Sequence, residues 1–149
     1  MSCSPGYIGT YVTYPVPAGK YSSYISQLAA NQLAINDVNA NGQAYANNPA
    51  NGGTCAVAET VTYTDSRAFQ YSVRFTNNST GLIYNFLSNA NSSGTLGQVQ
   101  SGTYTIYICP LNNYTPNNNY TVFGSSQSNV VCATFNNVSV TASGSISFH

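Results

Sequence analysis

The chain has 149 residues, no net charge, and charged side chains at only 4% of the sequence, against about 25% in ordinary soluble proteins. The six charges are Lys20, Arg67, Arg74, Asp37, Glu59 and Asp65. So few exclude electrostatic capture of nucleic acid or of an anionic membrane, which needs clustered Lys and Arg. Hydrophobic residues at 42% supply a core and argue against disorder. The polar surface must be Asn, Ser, Thr, Gln and Tyr, as in secreted modules, self-assembling walls and fibres, and sugar binders.

Met1 is followed at once by Ser2 and Cys3, without the basic start and apolar run of a signal peptide. If the protein is exported, the expectation is an excised piece with Met1 as an expression start. No stretch approaches the roughly 20 apolar residues of a membrane span. Ser4-Pro5-Gly6 is turn chemistry. Thr10 to Tyr14 reads as a strand by its β-branched and aromatic content. Pro15 and Pro17 confine it to an edge. Pro17-Ala18-Gly19-Lys20 then turns the chain, and Tyr21 to Tyr24 is expected to pair back.

A helix is expected from Ser26, a natural N-cap, to about Asn48. Ala30, Ala34, Val38, Gly42 and Tyr45 make one apolar stripe. Leu28 and Ile35 lie beside it, and Leu33 on the opposite margin. The apolar arc is therefore broad, and a helix covered on two sides is expected. Asn47-Asn48-Pro49 and Asn51-Gly52-Gly53 end it.

From Ala56 the period changes to two. Strands are expected over Val61–Thr64, Phe69–Asn77, Leu82–Leu87, Gly102–Pro110, Tyr120–Phe123, Val130–Phe135 and Val138–Thr141, with a closing strand over Ser143–Phe148. Seven or so short strands with regular turns read as a β-sandwich. The expected fold is thus mainly β with one long helix (α+β). A small hairpin-plus-helix unit, residues 1–55, precedes an immunoglobulin-like antiparallel β-sandwich, residues 56–149.

Four cysteines stand at 3, 55, 109 and 132, and the one histidine is His149. No ligand spacing for zinc exists, so no metal and no cofactor are expected. Two disulfides fit better and imply an oxidising compartment. Three pairings are open. Cys3–Cys55 with Cys109–Cys132 is expected, because each pair stays inside one unit.

One stretch carries a family resemblance. Cys3-Ser-Pro-Gly-Tyr, Val12-Thr13-Tyr14, Val16-Pro17-Ala18-Gly19-Lys20-Tyr21-Ser22-Ser23, Ile25-Ser26-Gln27 and Asn39-Ala40-Asn41-Gly42-Gln43-Ala44-Tyr45-Ala46-Asn47, closing at Cys55, resemble a domain-of-unknown-function family. Its members occur as modules in large surface and repeat-containing proteins of certain Gram-negative bacteria. The resemblance implies a secreted, modular context and no activity. In that family the helix usually carries several charges, where this chain has Leu28, Leu33 and Ile35. Ser101-Gly102-Thr103-Tyr104 resembles a strand start of immunoglobulin-like modules.

Catalytic chemistry is sparse. Glu59 and Asp65 are the nearest carboxylates in sequence but flank a strand; a Ser-His-Asp triad would need His149 at the terminus; Asp65 alone makes a weak calcium site. Arg67 and Arg74 are expected to pair with Glu59 or Asp65. The best ligand candidates are Tyr107, Tyr114 and Tyr120 near the Asn-rich loop, where rings stack on sugar faces and amides meet hydroxyls. Leu28, Leu33 and Ile35 are the candidate interface. The expected function is a non-enzymatic, extracellular or cell-surface structural or adhesive module, with no nucleic acid partner and no membrane insertion. Its expected partners are a glycan, a neighbouring module or another copy. The alternatives are a carbohydrate-binding module and a self-assembling filament subunit.

Overall fold

The structure, a computed structural model, describes residues 1–112 and 117–149. They form two compact units, Met1–Ala56 and Val57–His149.

In the first unit, strand β1 (Tyr7–Gly9) leads through an extended, irregular segment to helix α1 (Gln27–Asn47) and a short 3-10 turn at Pro49–Asn51. The helix starts where expected, with the Ser26 hydroxyl oxygen accepting from the Ala29 N–H at 3.1 Å. Only Lys20 and Asp37 are charged in this unit, so helix charge pairs give way to amides. Gln27 donates to Asn31, Gln32 to Asn36 and Gln43 to Asn47, each four residues on, the spacing at which helix side chains meet. The left-handed Gly52 (φ 85°) closes the turn.

Two expectations for this unit need correction. No hairpin forms over Thr10–Tyr24: the expected turn is there, with the Lys20 N–H donating to the Pro17 carbonyl at 3.2 Å, but no ladder forms on either side of it. Pro15 and Pro17 lack the N–H groups a ladder needs, and the segment is held by side chains instead. Nor is the helix covered on two sides. Its buried positions are Ala30 and Asp37, while Leu28, Leu33 and Ile35 are 76%, 45% and 50% exposed and Val38 is exposed too. The covered stripe runs through Asp37, one residue away from the expected Val38, because Asp37 is where the extended segment finds its polar anchor.

The second unit is a two-sheet sandwich. Its strands are β2 (Cys55–Asp65, beginning in the first unit), β3 (Tyr71–Asn77), β4 (Ile83–Leu87), β5 (Ser93–Gln100), β6 (Gly102–Pro110), β7 (Asn118–Val122), β8 (Ser125–Val130), β9 (Ala133–Val140) and β10 (Gly144–Phe148). One sheet is ordered β4-β3-β6-β9. The other runs β2-β10-β7-β8, with β5 also on β2. Strands β2, β3, β4, β5, β6 and β9 take the places of B, C, C′, E, F and G of an immunoglobulin-like sandwich. The Tyr104 hydroxyl donates to the Gln100 carbonyl at 2.6 Å, four residues upstream, the bond of a tyrosine corner.

One pairing departs from the expected antiparallel pattern. β10 lies parallel to β2, Ile146 opposite Tyr63. The flank of B that a leading strand would occupy is filled by the last strand, arriving in the opposite sense. The β7–β8 hairpin is inserted between F and G. The expected strand Val130–Phe135 is therefore two strand ends around a turn, β8 closing at Val130 and β9 opening at Ala133.

The interior follows the period-two pattern. Val73, Phe75, Tyr104, Ile106, Ile108, Val61, Val99, Tyr120, Val122, Ile146 and Phe148 are fully buried. The Tyr71 ring stacks on Phe148 with centroids 4.4 Å apart and meets Tyr120 edge-on at 5.8 Å. Gly97 has no room for a side chain because the Phe86 ring occupies that space.

Candidate functional site

The bridges are Cys3–Cys55 and Cys109–Cys132, and no described cysteine is free. Each closes within one unit.

In the first unit the polar centre is Asp37. Its carboxylate accepts from Lys20 Nζ at 2.7 Å, Asn41 Nδ2 at 2.8 Å and the Tyr14 hydroxyl at 3.1 Å. Lys20–Asp37 is an ion pair with the carboxylate end buried and the ammonium end part-exposed. The Lys20 and Asn41 bonds hold the Asp37 carboxyl down at about 2, and the same ion pair raises Lys20. Desolvation, with the Asp37 bond second, raises the Tyr14 phenol. All the protons are thus pinned in one state around neutral pH. The cluster ties the extended segment to the helix and offers no group poised for proton transfer. Sequence reasoning missed it. The available signal was that Lys20 and Asp37 are the first unit's only charged side chains and have opposite signs.

Beside the cluster lies a groove of about 400 Å³ lined by Val16, Pro17, Ala18, Gly19, Tyr21, Gln27, Ala30, Asn31 and Ala34. Its walls mix small apolar residues with Tyr21 and the Gln27 and Asn31 amides, and those two amides already bond to each other.

In the second unit the tyrosine candidates separate. Tyr114 lies outside the described residues. Tyr120 is 0% exposed and its hydroxyl donates to the Val131 carbonyl. As a ligand residue it is therefore corrected, since it points inward on β7 with Asn118 and Val122. Burial drives its phenol far up. Tyr107 is half-buried, on the outer face of the β4-β3-β6-β9 sheet. It stands in a row with Arg74 and Thr134 on either side and Asn85 beyond Arg74. The Arg74 guanidinium lies over its ring, 5.5 Å from the centroid. The Tyr107 ring thus stands in line with the Asn85 amide and the Thr134 hydroxyl, with the Arg74 guanidinium over one of its faces.

The carboxylates do not pair. Glu59 and Asp65 lie six residues apart on β2, roughly 20 Å along a strand, where glycosidase carboxylates need roughly 5–9.5 Å. Asp65 accepts from the Arg67 N–H at 2.8 Å and the Ser88 hydroxyl at 3.3 Å; burial raises its carboxyl against those bonds. The expected Arg–carboxylate pairs are absent among the described residues, for Arg67 lies over Phe69 and Arg74 over Tyr107. His149 meets Ser147 at 3.0 Å. No group of three His, Cys, Asp or Glu side chains that would suit a metal ion gathers among the described residues. No helix among them is long and apolar enough to cross a membrane.

Residues 1–56 match the family of unknown function DUF5977. The DUF5977 segment thus coincides with the unit closed by Cys3–Cys55 and contains the Asp37 cluster. No curated protein and no solved structure matches the chain.

Proposed function

We propose that the chain is a non-enzymatic extracellular module, structural or adhesive, of a bacterial surface protein or fibre. The observation carrying this reading is that each unit is closed by its own disulfide. Stapling of small domains belongs to oxidising compartments. The bonding of Asp37 and Asp65 supports it further, since both carboxylates are engaged in holding chain segments together. The test is surface display. An antibody against the folded, oxidised chain should stain intact cells that make the parent protein. Staining that appears only after permeabilisation sinks the proposal.

A second reading, carbohydrate binding, rests on Tyr107 and its row of Arg74, Asn85 and Thr134. A glycan array should then show binding that Tyr107→Ala abolishes while the fold is kept. An array without signal removes this reading and leaves the structural one standing.

A further inference from the structure

We infer that strand β4 is a self-complementary docking edge, through which two copies of the chain join their four-stranded sheets about a two-fold axis at Asn85. This goes beyond the module reading and does not depend on it.

Among the described residues the sandwich has four edge strands: β5, β8, β9 and β4. Edge strands are templates for pairing unless bulges, charge or proline blunt them. Three are blunted. The β2–β5, β7–β8 and β6–β9 ladders each carry a register shift. β5 also contains Gly94 and Gly97, and β9 contains Asn137 at positive φ. β4 has none of these. Its ladder with β3 runs without interruption from Ile83 to Leu87, and its sequence Ile-Tyr-Asn-Phe-Leu has no charge, proline or glycine.

The free side of β4 is defined by the bonds on the other side. The Asn77 N–H donates to the Leu82 carbonyl, and the Ser88 N–H to the Tyr71 carbonyl. In an antiparallel ladder the bonded pairs alternate, so Tyr84 and Phe86 face β3 with their backbone groups. Ile83, Asn85 and Leu87 turn theirs to the open edge. A second β4 laid antiparallel with Asn85 opposite Asn85 brings Ile83 opposite Leu87 and Leu87 opposite Ile83. These are the three positions with backbone groups on offer, so each becomes a bonded pair.

The side chains match under the same operation. The five residues read aliphatic, aromatic, amide, aromatic, aliphatic. The two-fold axis pairs Ile83 with Leu87 on the outer face, where they are 51% and 60% exposed. It pairs Tyr84 with Phe86 on the inner side, and sets two Asn85 amides to bond at the axis. Such isologous matching, i to j and j to i, is what a two-fold interface demands. Charge does not oppose it. The charge on the neighbouring strand is Arg74, opposite Asn85 on β3. Two copies of it would stand three strand spacings apart, roughly 14 Å, beyond the screening length of about 10 Å at 0.1 M salt. The interface is small, in the class of transient contacts. It closes as a dimer, because each copy spends its one regular edge.

Sedimentation of the oxidised full chain from about 10 μM to about 1 mM is the test. The expected result is a reversible shift from 15.8 kDa to twice that mass. Asn85→Lys puts two ammonium groups at the axis and should raise the dissociation constant at least about 100-fold, as direct like-charge opposition does. Asn85→Pro removes an N–H that β3 does not use and should do the same. Thr134→Lys, on the opposite edge of the sheet, should leave dimerisation unchanged. Hydrogen exchange on the unmodified chain needs no variant: the Ile83, Asn85 and Leu87 amides should gain protection with concentration. A monomer throughout with flat exchange overturns the inference. So does a dimer indifferent to both Asn85 variants, or an open-ended filament.

Discussion

Removing the Cys3–Cys55 bridge should unfold the first unit and spare the second. The double substitution Cys3→Ser/Cys55→Ser releases a loop of sequence separation 52, whose closure entropy corresponds to about 4 kcal/mol. Against that loss the first unit has little to set. Ala30 is its one buried apolar side chain, and helical stability in proteins comes mostly from tertiary packing, which is thin here. Small units depend on such staples. The corresponding loss at Cys109–Cys132, separation 23, is about 3.5 kcal/mol. There it is opposed by a core of seventeen apolar side chains, each stabilising by about 1.5–3 kcal/mol for the larger ones. Because α1 is the one α-helix among the described residues, circular dichroism at 222 nm reports the first unit. The double variant should lose that signal while the sandwich still unfolds cooperatively in denaturant. A full 222-nm signal with an unchanged midpoint would refute the reasoning, for the unit would then have a source of stability other than its staple.

Asp37 should make the first unit acid-sensitive. Its folded carboxyl titrates at about 2, below the ordinary 3.8 of an aspartate, so its contribution is complete above 3.8 and lost as pH falls through 2. Asp37→Asn should flatten the 222-nm acid titration in that window, and an unaltered profile counts against the cluster. Asp65 runs the other way. Burial raises its folded value above 3.8, so its contribution is complete below 3.8 and is lost as pH rises through the raised value. Asp65→Asn should remove that slope from denaturant midpoints, and a slope that persists assigns it elsewhere. Phe148→Ala should cost about 3–5 kcal/mol by emptying the space between Tyr71, Tyr63 and Tyr120; a loss under about 1 kcal/mol, the scale of a mild core change, would mean that β10 is not part of the core.

Legibility in the sequence followed physical pattern. Phe69 to Phe75 and Tyr104 to Ile108 alternate strictly and face the core as expected. Ser26 caps its helix because a hydroxyl before an Ala-rich run has an unpaired N–H to meet. β5 escaped notice because Ser93-Gly94-Thr95-Leu96-Gly97 lacks the branched and aromatic content of a strand. Gly97 is there to admit the Phe86 ring, a tertiary demand with no local signature. Tyr120 was misplaced for the opposite reason. A tyrosine beside an Asn-rich stretch looks exposed until strand phase places its ring in the core and its hydroxyl on Val131. Leu28, Leu33 and Ile35 read as covered because periodicity reports which residues share a face, not what lies against it.

The most direct test of the proposed function is the redox state of the chain in its natural setting. Protein taken from the producing cells with thiols blocked at lysis, then digested without reduction, should yield the peptide pairs joined at Cys3–Cys55 and Cys109–Cys132 and no blocked cysteine. Four blocked cysteines would place the chain in a reducing compartment and contradict an extracellular, disulfide-closed module.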